Sequence, residues 1–90
     1  MEMERGIIGL NGLKPGEKGW IERMTLAEGI RRKLEDMGFV PGSQVECVYC
    51  SPFGDPVAYY VMGTLIAIRV EDARNIQVKI ESGMEADGFK

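Results

Sequence analysis

Glycine and proline interrupt this 90-residue chain so often that only short regular elements fit between them: it holds 12 glycines and 4 prolines. Pro15-Gly16 and Pro41-Gly42 each stand just before a run with strand character. Proline fixes the first central φ of a turn and glycine supplies the positive φ of the second, the requirement of a type II turn. Residues 19–24 and 44–51 therefore read as strands, each launched from such a turn. The echo between them is local turn chemistry and does not mark an internal repeat.

One segment departs from this rhythm. Thr25-Leu26-Ala27-Glu28 has capping-box spacing, with Thr25 as N-cap and Glu28 reaching back from N3. Leu26, Ile30, Leu34 and Met37 follow at helical spacing, which predicts an amphipathic helix from Leu26 to Met37 with one apolar stripe. Gly38 suits the left-handed position that ends a helix, and Pro41 prevents extension. Gly29 costs about 1 kcal/mol relative to alanine inside a helix, which predicts a close neighbour there.

Beyond the helix the period changes to two. In 44–51, Val45, Cys47 and Tyr49 fall on one face and Gln44, Glu46, Val48 and Cys50 on the other. Pro52-Phe53-Gly54-Asp55-Pro56 is a turn by composition and caps a hairpin into a strand at 57–62. Gly63-Thr64 turns again into a strand at 65–70. Glu71–Asn75 has room for one 3-10 turn, and 76–80 alternates as a last strand through Ile76, Val78 and Ile80. Residues 81–90 carry no period and are expected to form a disordered tail. The predicted class is mainly β: a small closed barrel of about five strands, one open end plugged by the helix, with a 3-10 turn before the last strand. Closure removes the edges that an open sheet exposes.

Composition narrows function. A chain of this length makes one small domain. Histidine is absent, which removes the commonest general base and metal ligand near neutral pH and any Ser/His/Asp or Cys/His arrangement. No phosphate-binding glycine loop occurs, since Gly9-Leu10-Asn11-Gly12 leads into no helix and no lysine-serine pair follows. We therefore expect a binding protein, not an enzyme. The net charge is −3; removing Glu81, Glu85, Asp87 and Lys90 from the 14 acids and 11 bases leaves eleven acids against ten bases in residues 1–80. That balance lacks the basic footprint of nucleic-acid binding. No apolar run approaches the ~20 residues that span a bilayer, and the N-terminus has no signal-peptide layout, so no membrane insertion is expected. Two cysteines make no disulfide framework, which favours a reducing, cytoplasmic setting.

The order of landmarks resembles the FeoA family, small cytoplasmic proteins associated with ferrous iron uptake. Leu10-x-x-Leu13-x-Pro15-Gly16-Glu17 opens the match, and Lys33-Leu34-x-Asp36-Met37-Gly38-Phe39-Val40-Pro41-Gly42 resembles the family's most characteristic stretch. Pro52-x-Gly54-Asp55-Pro56-Val57, Gly63, and Ile66-Ala67-Ile68-Arg69-x-x-x-Ala73-x-x-Ile76-x-Val78 complete it. Lys33 stands where the family often has arginine and Met37 where leucine is usual, and the former weakens any argument from a bidentate arginine contact. The resemblance places an FeoA-like domain at 8–80 and implies an SH3-like barrel. It implies a role assisting the membrane transporter FeoB through its cytoplasmic GTPase part. A similar domain ends certain metal-dependent repressors; without a helix-turn-helix ahead of it in this sequence, that role is not expected.

Three sets of residues are candidate sites. Phe53 at the tip of 52–56, an aromatic between prolines with no periodic partner, makes Pro52, Phe53, Gly54, Asp55 and Pro56 a candidate protein-binding loop. Arg31-Arg32-Lys33 is a second candidate, for an acidic partner, against its reading as a solvated helix face. Cys47-Val48-Tyr49-Cys50 has the spacing of a redox or zinc motif, but in a strand i and i+3 point to opposite faces with Cα atoms ~10 Å apart. A disulfide needs them within about 7 Å, so Cys47 reads as a core residue and Cys50 as an edge thiol. The family's link to iron makes a transition metal, iron or zinc, a candidate ligand with Cys50 as its one candidate residue, but the sequence offers no ligand set for it. Two cysteines, even with Glu46 or Asp55, fall short of a four-ligand structural zinc set. A metal-binding module using Cys50 and a thiol redox protein using Cys47 and Cys50 remain the alternatives to partner binding.

Overall fold

The computed structural model describes residues 6–80; the expected tail at 81–90 lies outside them. Both Pro-Gly turns form as the sequence requires. Gly16 has φ 93° and Gly42 φ 95°, and each turn closes with a backbone bond, Glu17 N–H to Lys14 O at 2.8 Å and Ser43 N–H to Val40 O at 3.0 Å. They launch β2 (Lys18–Met24) and β3 (Gln44–Cys50). The chain continues through β4 (Val57–Val61), β5 (Thr64–Ile68), a one-turn helix α2 (Val70–Ala73) and β6 (Ile76–Ile80). Ahead of these stand β1 (Ile7–Gly9) and a 3-10 turn (Leu10–Gly12).

The six strands form one antiparallel sheet in the order β1-β6-β2-β3-β4-β5. β2 pairs with both β6 and β3, with Glu22 as an extra residue between Ile21↔Val78 and Arg23↔Gln77. Such a bulge bends a strand and lets one sheet curve about one core. A single buried cluster takes residues from β2 to β6 and from both helices, with Leu10, Tyr59, Phe39 and Ile76 at 0% exposure. The expected closure does not occur: among the described residues β1 and β5 are the two ends of the ladder and do not pair. With three residues before the 3-10 turn, all registered with β6, β1 offers few backbone groups to a second neighbour.

Helix α1 (Glu28–Asp36) begins later than expected. Thr25 is not its N-cap, because the helix starts three residues further on; the Thr25 hydroxyl and N–H instead both donate to Asn75 O, at 3.0 and 2.8 Å. Ala27 takes the cap position without a side-chain bond. The four-residue stripe is only half used. Leu34 is 6% exposed and Leu26 packs against the core, whereas Ile30 and Met37 are each 40% exposed. Nor does anything crowd Gly29, where an added Cβ would meet open space. The helix end follows expectation closely. Gly38 is left-handed at φ 101°, its N–H bonds Glu35 O at 3.0 Å, and Phe39 N–H bonds Leu34 O at 2.9 Å. These are the two bonds of a Schellman motif, and Leu34 and Phe39 supply its apolar pair in the core.

Two further boundaries move. The β4–β5 turn is Met62-Gly63, both with positive φ (52° and 81°), so β5 starts at Thr64 and Arg69 leaves the sheet. The expected 3-10 turn before the last strand is a turn of α-helix at 70–73, with Ala73 N–H bonding Arg69 O at 2.9 Å and Arg74 N–H bonding Val70 O at 3.0 Å.

Candidate functional site

The β3–β4 hairpin presents the most exposed aromatic side chain of the described residues. Phe53 is 95% exposed. The loop beneath it is braced at several points: Gly54 N–H donates to Ser51 O at 2.8 Å, Ser51 N–H to Pro56 O at 3.2 Å, and Val70 N–H to Asp55 Oδ1 at 3.0 Å. Asp55 thus satisfies a free N–H at the start of α2 and ties the hairpin to the body of the sheet. Gly54 holds φ 83°, which only glycine adopts without strain. The loop therefore offers an aromatic ring on an ordered support, the arrangement that lowers the entropy lost on docking.

A bulge in β3 changes what lies beside it. The β3–β4 register runs Cys47↔Tyr59 and then Tyr49↔Ala58 and Cys50↔Val57, leaving Val48 as an extra residue. Tyr49 is therefore turned to the outer face, against the simple alternation that grouped it with Val45 and Cys47. It joins Tyr60, whose direct partner across β5 is Leu65. Tyr49, Tyr60 and Leu65 are all exposed. Alternation alone misses this surface, because nothing in 44–51 marks the extra residue. The adjacent Tyr59-Tyr60 pair was the available signal, since one ring had to face outward.

The same bulge corrects the geometry of the cysteines. Cys47 opposes Tyr59 and Cys50 opposes Val57, both core residues, so the two cysteines share the inner face where simple alternation puts them on opposite ones. Their register partners stand two residues apart, about 7 Å, at the outer limit for a disulfide. They differ in depth as expected: Cys47 is buried and Cys50 exposed. Burial first, then Cys50, Glu17 and Glu46, raises the Cys47 thiol above its ordinary value. Burial also raises the Tyr59 hydroxyl, with smaller effects of Cys47 and Cys50, and this hydroxyl donates to Leu10 O at 3.3 Å. A protonated, enclosed thiol is a poor nucleophile. Under native conditions a thiol reagent is expected to modify Cys50 rapidly and Cys47 only after unfolding. Equal native labelling of both, read by mass spectrometry of peptides, would contradict this placement. Among the described residues no three Cys, Asp or Glu side chains converge on a point where they could hold a metal ion.

The basic run on α1 is partly neutralised by its own helix. Arg31 lies 3.6 Å from Glu35 and Arg32 3.3 Å from Glu28, each one helical turn away. Such exposed pairs contribute little to stability, but they blunt the positive face offered to a partner. The structure does not bring this run to the Phe53 loop. The turn after α1 lies against Met62 at the far end of β4, where a Cβ added to Gly38 would come within 2.8 Å of Met62 Cγ. The loop joins the opposite end of that strand.

No helix among the described residues is long and apolar enough to cross a membrane. Known proteins agree with this architecture. Chlorobium tepidum FeoA, solved by solution NMR, superposes with a TM-score of 0.82 at 29% identity, over 92% of this chain and 81% of that one. A crystal structure of Stenotrophomonas maltophilia FeoA complexed with zinc, described as a prokaryotic SH3 domain protein, gives a TM-score of 0.69 at 29% identity, over 80% of this chain and 89% of that one. In sequence, a Fe(2+) transport protein A/Fe(2+) transporter FeoB fusion protein of Porphyromonas gingivalis is 36% identical over 73 residues, 81% of this chain. The chain spans only 9% of the length of that relative. Residues 8–80 match the FeoA domain, the span from β1 through β6, and the chain therefore belongs to the FeoA family, with its SH3-like fold.

Proposed function

We propose that this chain is a non-enzymatic, cytoplasmic accessory of ferrous iron uptake that binds the cytoplasmic GTPase part of the FeoB transporter. The observation that carries the reading is the Porphyromonas gingivalis relative, in which an FeoA-like segment is named as one chain with FeoB. Fusion of two proteins into one chain favours a working association, because linkage raises the concentration of each at the other. The non-enzymatic part of the reading rests on the absence of histidine. The contact surface is the 52–56 loop with Phe53 as anchor, together with the outer strand face around Tyr49. Arg31, Arg32 and Lys33 are the lesser candidate, since two of the three already face carboxylates.

Phe53→Ala tests the surface. With the ring almost wholly in solvent, its removal is expected to leave the denaturation midpoint unchanged, while an anchor's loss weakens binding by about 1–3 kcal/mol. Affinity for the isolated FeoB cytoplasmic domain and urea stability are to be measured on one preparation. Early unfolding would make Phe53 a packing residue. Unchanged stability with unchanged affinity would move the interface to the Arg31-Arg32-Lys33 face.

A further inference from the structure

The two edges of the sheet are not alike. β1 is three residues long and runs into a 3-10 turn, which leaves little backbone for another strand to pair with. β5 is five residues, Thr64-Leu65-Ile66-Ala67-Ile68, with no charge, proline or glycine, and its ladder with β4 is regular. It carries none of the devices that commonly protect an exposed edge. The Met62-Gly63 turn fixes which groups face outward. A two-residue turn with both φ positive closes on a hydrogen-bonded Val61–Thr64 pair. Bonding alternates along an antiparallel ladder, so Thr64, Ile66 and Ile68 bond to β4 while the N–H and C=O of Leu65 and Ala67 point off the sheet. Among the described residues no other backbone or side-chain group takes them up.

We propose that β5 pairs with β5 of a second copy of this chain, antiparallel about a two-fold axis at Ile66. That register sets Leu65 opposite Ala67 of the other copy and Ala67 opposite its Leu65. All the outward groups of both strands are then used, and a large side chain meets a small one each time. Thr64 falls opposite Ile68, and Arg69, the first charge after the strand, falls opposite Gly63, so no like charges face each other. The exposed Leu65, 57% open, becomes partly covered, as does the neighbouring outer face at Tyr60. A self-complementary contact of this kind is the ordinary basis of a two-fold dimer. One strand pair is a small interface, which predicts weak association, with a dissociation constant on the order of 100 µM.

Sedimentation equilibrium of the full chain from about 5 µM to about 1 mM tests this, spanning the range in which such a weak dimer forms. The wild type is expected to shift from monomer toward dimer. Leu65→Lys and Ala67→Glu, both at exposed positions, are each expected to weaken association about tenfold or more while melting near the wild-type temperature. Mixed in equal amounts, the two variants should associate again, because the lysine introduced in one then faces the glutamate introduced in the other. Ile7→Lys at the β1 edge should change nothing. A wild type that stays monomeric, a dimer insensitive to Leu65→Lys, or no recovery on mixing would overturn the proposal.

Discussion

Replacing Phe39 with alanine is expected to destabilise the fold by about 3–5 kcal/mol, the range for a fully buried phenylalanine. Phe39 is 0% exposed and sits at the junction of α1 and the sheet. Its N–H also completes the bond to Leu34 O that ends the helix. The side-chain loss leaves a cavity in a core that draws on every strand from β2 to β6. Small domains have total stabilities of roughly 5–15 kcal/mol, so this single change removes a large share of the margin. Urea denaturation followed by circular dichroism measures it directly. A loss under about 1 kcal/mol would show that the ring is dispensable and that the helix end is held some other way.

The second large effect concerns which residues hold α1 down. Leu34→Ala is expected to cost about 2–5 kcal/mol, since its side chain is buried against the core. Ile30→Ala and Met37→Ala should each cost about 1 kcal/mol or less, because both side chains remain 40% exposed. An even, four-residue stripe would instead give similar losses at Ile30, Leu34 and Met37. Equal losses across the three in parallel denaturation curves would contradict the observed packing.

That contrast also shows how far local chemistry can be read from residues. Wherever backbone geometry is dictated by a single glycine, the reading holds: Gly16 and Gly42 in their turns, Gly38 at the helix end. The resemblance carried by the 33–42 stretch rests on the same chemistry, which is why family and fold were legible together. Readings that depend on a distant partner fail. Thr25 has capping-box spacing, yet the helix begins only at Glu28, and Thr25 is instead bonded to Asn75 O, fifty residues away in sequence. The helical period marks Ile30 and Met37 as core-facing, but the period records which face is apolar and not how much of it the sheet covers. Val48 shows a third limit. One extra residue in β3 turns Tyr49 outward and brings Cys50 to the face of Cys47, and no residue type signals it. β1 leaves no signal for a related reason: Ile7-Ile8-Gly9 is too short for any period to be counted. In the candidate site, Phe53 was identifiable because prolines flank it, whereas the Tyr49–Tyr60–Leu65 surface required the register.

Binding to FeoB is tested most simply by calorimetric titration of the intact chain into the purified cytoplasmic GTPase domain of its cognate FeoB, at near-physiological salt. Saturable binding is expected, reduced by Phe53→Ala and retained by Arg31→Gln. No heat and no complex by sedimentation at protein concentrations up to about 1 mM, where an affinity as weak as about −4 kcal/mol would register, would contradict it.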